Sequence, residues 1–541
     1  MRRDTKSIFG WGGAALLIAA CFTAPCFAAG LLQSKNSLSA RQHKEQGVVY
    51  LNQHNLPRAL DEFHAALLLD PKDPAAHDNL GIALAESGQN DEAAKEFEEA
   101  VRLSVNFALA HFHLALAYDR LGRTPEAILE YETTLRLEPG LIDARYALSA
   151  DCWKLGDGDG AIQLLRQIVK QNPPFAAEVH YNLGLELKQV GNMDEAAREL
   201  KIAVALQPNS PKFYIGLCQI LTEKLDLDGA IDSAKKAIEL APGNPEAHYD
   251  LAEALRLKGE LGLAEAQYKR VLEINPEYAL AHRQLGVVFR QKGSYEAAAA
   301  QLQDAAQEDP QDAGARYYLG SVLLKLNNVD GAIEELTGAI RLNPYDSAVH
   351  ITLAGALNRV GRAQDAQEEI KKAQTLKDLE ADAGRSRLLL GSAETHLKKN
   401  ETEAALAELR QAVQLSPEYP EAQFQLARGL QQKGAPAPEV EKILRKVIDL
   451  KSDYAQAHLQ LGLVLENTGH QAEAAAEFKR ALEIAPSLVE AHRALGKSAF
   501  AAHDWPAAIA EFGAILVWDK DDRAARQNLA FAHVQQRRPG H

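Results

Sequence analysis

Seventeen histidines are the residues of this chain best equipped for chemistry. Imidazole ligates metals and moves protons near neutral pH, so the spacing of these side chains decides which use is open to them. Nine of them, His43, His77, His111, His180, His248, His282, His350, His458 and His492, recur in one register, most of them 34 residues or a near-multiple of 34 apart. Side chains a full step apart stand on separate structural units, and neighbouring helices lie roughly 10 Å from one another, too far to share one zinc. The run Gly156, Asp157, Gly158, Asp159, Gly160 has the look of a calcium loop. It lacks the closing glutamate, however, and stands where a turn is expected. Paired glutamates such as Glu98 and Glu99 read as a solvated helix face. With no phosphate-cradling glycine loop, nucleophile elbow or HExxH helix, the sequence predicts no catalytic residue, no metal and no cofactor.

What positions these residues is a repeat. The stretch 455–488, AQAHLQLGLVLENTGHQAEAAAEFKRALEIAPSL, is its cleanest copy, and fourteen copies run from Ala40 through Val489 and beyond. Each has two apolar-periodic halves joined by a short turn, which predicts a pair of helices. Position eight is small, as at Gly47, Gly81, Gly462 and Cys218, and position twenty is alanine in nearly every copy. Such residues let the two helices approach closely, while a large residue at position twenty-four, such as Phe63, Phe97, Tyr131, Tyr268, Phe478 or Phe512, fills the space beside them. Position fifteen is glycine or asparagine in most copies, which suits the left-handed end of a helix. Position thirty-two is usually proline, which stops the second helix.

These positions on a 34-residue period resemble the tetratricopeptide repeat family over nearly all of residue 40 to the C-terminus. The resemblance implies an all-α fold, a right-handed superhelical solenoid of about fourteen helix pairs plus a C-terminal capping helix. Its concave face would be lined by the first helix of each pair. It implies a scaffold for peptides and proteins, with no chemistry of its own. The nine histidines fall at position four, where this family places a large packing residue. Position five, which faces the groove in this family, carries Phe112, Tyr146, Tyr181 and Tyr249, and Trp153 follows at position twelve of the fourth copy. These five are the expected partner-binding residues, because ring faces bury area at little entropic cost. Packing against the next repeat is the competing reading. Asn79 and Asn182 match backbone-holding asparagines of some relatives only sparsely, and Lys44 followed by Val48 does not assemble the two-carboxylate clamp of chaperone-binding members.

The expected layout is a signal peptide at 1–28, a linker at 29–39, ten repeats at 40–378, an irregular joint at 379–385, four repeats at 386–521, and a capping helix with tail at 522–541. Arg2, Arg3 and Lys6, the apolar run Ala14 to Cys21 and small residues near Ala28 form the three parts of a secretory signal. Residues Ile18 to Cys21 resemble a lipoprotein box instead, so cleavage near Ala28 and lipidation of Cys21 are both open. Either way the chain is expected to be exported, periplasmic or extracellular, with membrane attachment only through Cys21. A net charge of −15 without a basic stripe argues against nucleic acid. No small-molecule substrate is evident. Two function classes follow: a non-enzymatic scaffold with a protein or peptide in its groove, and an accessory or sensor subunit of an envelope enzyme or secretion complex. The latter includes one labelled by analogy with the protein O-linked sugar transferases.

Overall fold

The computed structural model describes residues 33 to 537, so the signal features, Ala28 and Cys21 lie outside the described residues. Those described residues form 28 α-helices and no strand. None of these helices is long and apolar enough to cross a membrane. The chain folds into two compact units: one joins the residues up to Ile168 with those from His458 on, and the other runs from Val169 to Ala457.

Each repeat is a pair of antiparallel helices whose closeness has a visible cause. A Cβ added to Gly81 would stand 2.6 Å from the Phe97 ring, and one on Gly462 would stand 2.6 Å from the Phe478 ring. At Gly286 and Gly320 leucines take the place of the ring, Leu302 at 2.6 Å and Leu336 at 2.7 Å. The alanines at position twenty, among them Ala59, Ala93, Ala127 and Ala230, are fully buried in the same contact. Position fifteen adopts the left-handed conformation in every copy. Gly122 has φ +72° and Gly259 φ +88°, and the copies without glycine do the same with His54, Leu225, Asn327, Asn400 and His503 at φ between 55° and 61°. Side chains cap the next helix: Asp73 accepts from the amides of Ala75 and Ala76, and Asp522 from that of Ala525.

The register-four histidines are paired as well as packed. His43, His77, His111, His180, His350, His458 and His492 each bond through Nδ1 to a glutamate nineteen residues on, at 2.5–2.8 Å. His248 and His282 make the same bond to Gln267 and Gln301. In several copies Nε2 faces the carbonyl six residues back, as His77 does toward Pro71 and His350 toward Pro344. Where both bonds form, the ring ties the two helices of its repeat to the turn before them.

Two expectations need correcting. Residues 379–385 are not an irregular joint. They lie inside one 36-residue helix, Ala363–Lys398, that fuses the second helix of the tenth copy to the first of the eleventh. The missing position-thirty-two proline leaves nothing to stop the helix, and Leu379, Glu380, Ala381 and Arg385 are strong helix formers. The linker at 29–39 is also shorter than expected, since the first helix, Gln33–Asn52, already includes residues 33–39.

Candidate functional site

In the first unit, Phe112 and Tyr146 keep only 5% and 7% of their surface exposed. The Phe112 ring sits 6.1 Å from Tyr131 and 5.9 Å from His113, so it is packed against the second helix of its own repeat. Trp153 is half-buried against the core of this unit and keeps part of its indole face open. On the same helix, Ile142–Leu155, stands a polar network. Lys154 Nζ donates to Asp119 Oδ1 at 2.6 Å and to Asp151 Oδ1 at 2.7 Å, while the Tyr131 hydroxyl donates to Asp119 Oδ2 at 3.1 Å. Burial pushes the Asp151 carboxyl up to about 7, and the Asp119 charge adds to the shift. Burial works against the Lys154 charge, but the hydrogen bonds to both aspartates hold its ammonium above the usual range. The network fixes the lysine head at the surface end of a buried acidic pair.

In the second unit, Tyr181 and Tyr249 are half-buried. Tyr181 stacks on Phe213 at 5.1 Å, and Lys212 Nζ lies 4.4 Å from its ring centroid while reaching Glu178 at 3.1 Å. A cation over a ring face adds roughly 0.5–1 kcal/mol at an exposed site. Gly216 makes room for this ring, since a Cβ there would stand 2.9 Å from Tyr181 Cε2. Tyr249 rests edge-on to Tyr268 at 5.9 Å and tilted against Tyr278 at 5.5 Å. Burial, then the Glu253 charge, holds its hydroxyl well above its ordinary range. Beside it on the same helix, Asp250 accepts from Gln219 Nε2 at 3.0 Å, and that amide also donates to Glu246 at 3.2 Å. Burial pushes Asp250 up to about 7, against the hydrogen bond from Gln219.

The five expected residues therefore fall in different settings: Phe112, Tyr146 and Trp153 belong to the first unit, Tyr181 and Tyr249 to the second. Three keep accessible ring surface and two are packed inside. Sequence reasoning missed Asp151 and Asp250, which look like ordinary polar positions until a neighbouring repeat covers them.

It also missed a seam inside the first unit. Trp518 Nε1 donates to Glu132 at 3.0 Å across 386 positions of sequence. Ser487 donates to Asp157 through its amide at 3.0 Å and its hydroxyl at 2.9 Å. Gln163 and Gln167 donate to the carbonyls of Trp518 and Val517, the latter at 3.4 Å. Asp157, expected as nothing more than a turn residue, is thus both the cap of Gly160 and an anchor for Ser487. The signal that exposes this seam is the helix Trp505–Trp518, WPAAIAEFGAILVW, whose apolar residues extend well beyond one stripe and so need a second covering neighbour.

Models of the tetratricopeptide repeat match residues 44–104, 79–141, 146–211, 184–245, 221–285, 283–347, 386–419 and 455–488, well over half of the chain. Among solved structures, MamA from Desulfovibrio magneticus RS-1 is 24% identical and has a TM-score of 0.30, covering 31% of this chain and 94% of that one. The C-terminal part of a repeat protein from Cytophaga hutchinsonii is 18% identical with a TM-score of 0.39, covering 44% of this chain and 97% of that one. PilF of Pseudomonas aeruginosa is 23% identical with a TM-score of 0.30, covering 40% and 97%. None of the curated proteins matches the sequence.

Proposed function

Because the chain belongs to the tetratricopeptide repeat family, whose fold generally serves as a non-catalytic interaction scaffold, we propose that it is an exported, non-enzymatic adaptor. It binds a peptide or helix of a protein partner on the first-helix face of its repeats. The observation that carries this reading is the pair of half-buried tyrosines in the second unit, Tyr181 backed by the Phe213 ring and Tyr249 by those of Tyr268 and Tyr278. A ring held in place before binding loses little freedom on contact, which is why such residues anchor interfaces. Lys212, set over Tyr181 and paired with Glu178, adds a charged rim. Trp153 beside Lys154 offers the same combination in the first unit. Export is supported by Arg2, Arg3 and Lys6 ahead of the apolar run to Cys21.

The test is capture from the envelope fraction of the native cell with the purified chain as bait, the retained proteins being identified by mass spectrometry. Replacing Tyr181 and Tyr249 together with alanine is expected to weaken retention at least tenfold, on the order of 2 kcal/mol or more for anchor residues. Helical content by circular dichroism should stay unchanged. Undiminished retention by a folded double variant would sink the assignment of the face.

A further inference from the structure

The seam in the first unit brings together segments that no local pattern connects, and at its centre is a carboxyl group in a poor place for a charge. Glu132 is 6% exposed and lies on helix Thr124–Leu137. Among the described residues its one close donor is the indole of Trp518, and the imidazole of His492 stands 3.8 Å away, beyond hydrogen-bond reach. His492 is itself committed: Nδ1 to Glu511 at 2.8 Å and Nε2 to the Pro486 carbonyl at 3.0 Å. Both acceptors want an N–H, so the ring is best served when doubly protonated. A buried carboxylate with a single neutral donor and no bonded cation is costly, and the group escapes the cost by holding its proton.

We propose that this seam is a proton-responsive latch: with Glu132 protonated it holds helix Trp505–Trp518 against helices Thr124–Leu137 and Gly158–Val169, and as Glu132 ionises the contact loosens. The titratable groups facing Glu132 are His492 on helix Val489–Ala501, Glu511 on helix Trp505–Trp518 and Cys152 on helix Ile142–Leu155. Arg136 lies one turn along its own helix, against Gly513.

Burial pushes Glu132 from its ordinary 4.5 up to about 7, with the His492 charge and the Trp518 bond holding it back. For His492, burial opposes the charge, but the bond to Glu511 and, once that group ionises, the Glu132 charge raise the ring above its ordinary 6.5. Both groups therefore hold protons in the closed seam that an open one would release. Closure is strongest in acid, weakens as pH rises from the ordinary glutamate value toward 7, and loses the His492 contribution as pH rises beyond that ring's ordinary 6.5. Of the remaining contacts of the seam, Gln167 to Val517 joins groups that do not titrate and sets a baseline strength, while at Asp157 burial raises the carboxyl and the bonds from Gly160 and Ser487 hold it back.

The experiment uses the full chain and hydrogen exchange. The amides of helix Trp505–Trp518 are compared with those of helix Gln471–Ile484, which lies in the same unit but makes no seam contact named above, so that intrinsic pH effects cancel in the ratio. Between about pH 5.5 and about pH 8.5 the protection ratio of the wild-type chain is expected to fall by roughly one to two orders of magnitude, the range set by a shift of this size. E132Q keeps an oxygen for the Trp518 indole and cannot ionise, so its ratio should fall by clearly less than that of the wild type, the Glu132 share of the pH dependence being gone. E132M, apolar and of similar length, removes the Glu132 titration in a different way and should show the same reduced fall, which keeps the test sound if one variant fails to fold. A wild-type ratio that does not change with pH overturns the latch. A folded E132Q or E132M whose ratio falls as the wild type does overturns the role of Glu132.

Discussion

Helices Gln471–Ile484 and Trp505–Trp518 occupy the same place in consecutive repeats and share one framework. Ala474 and Ala508 sit at the close contact, and Phe478 and Phe512 fill the space beside Gly462 and Gly496. The first of these helices buries Ala474, Phe478 and Ala481 and leaves its other face to glutamates, Lys479 and Arg480. The second buries those equivalents and also Ile509, Gly513, Val517 and Trp518. The repeat rule accounts for one face of a helix, and a second buried face reports a second neighbour. For helix Trp505–Trp518 that neighbour is part of the third and fourth repeats.

The largest expected effect separates the two helices at their equivalent ends. Trp518 is 1% exposed, whereas Ile484, at the same repeat position, is half-buried. Trp518→Ala should cost about 3–5 kcal/mol in denaturant unfolding, because a large fully buried side chain leaves a cavity. Ile484→Ala should cost about 2 kcal/mol or less, since it removes only part of a buried surface. Equal losses would mean that the seam adds nothing beyond ordinary repeat packing.

That contrast also shows why the sequence discloses the fold and conceals part of the site. The helix pairs are legible because Gly81 and Phe97, or Gly462 and Phe478, meet across a fixed short separation that every copy repeats. The seam is not, because Glu132 falls at position twenty-five, where Glu98 and Lys479 face solvent; only the distant arrival of Trp518 makes it a buried group. Residues 379–385 were misread for the opposite reason. A lost proline changes the period, but with helix-forming residues in its place the chain stays helical and extends rather than loosens. Position five was legible as aromatic, yet the residue type alone does not distinguish Phe112, buried beside Tyr131, from Tyr181, which keeps a face open.

A second, smaller effect tests whether the first face is the same in both repeats. Gly462→Ala would bring a methyl group to 2.6 Å from the Phe478 ring and Gly496→Ala to 3.0 Å from the Phe512 ring. Overpacking of this kind costs about 1–3 kcal/mol, with Gly496→Ala expected at the lower end because Phe512 has less distance to yield. Thermal unfolding followed by circular dichroism reads both. If Gly496→Ala were the costlier of the two, the seam behind helix Trp505–Trp518 would be holding Phe512 rigidly in place, and the two faces would not be independent.

The smallest effect concerns a departure from the repeat that has no second neighbour to account for it. Leu225 occupies the turn position with φ +60° and is 70% exposed, where Gly122 and Gly259 stand in other copies. A branched side chain in the left-handed region costs about 1–2 kcal/mol, and an exposed leucine recovers little of that by burial. Leu225→Gly should therefore stabilise the chain, by about 0.5–1 kcal/mol after the greater freedom of glycine in the unfolded chain is subtracted. Trp518 and Leu225 are both exceptions to their repeat position, but removal of the first should destabilise and removal of the second should stabilise. A loss of stability in Leu225→Gly would show that the leucine is held by contacts as Trp518 is, and that a departure from the repeat marks a packing site in the second unit as well.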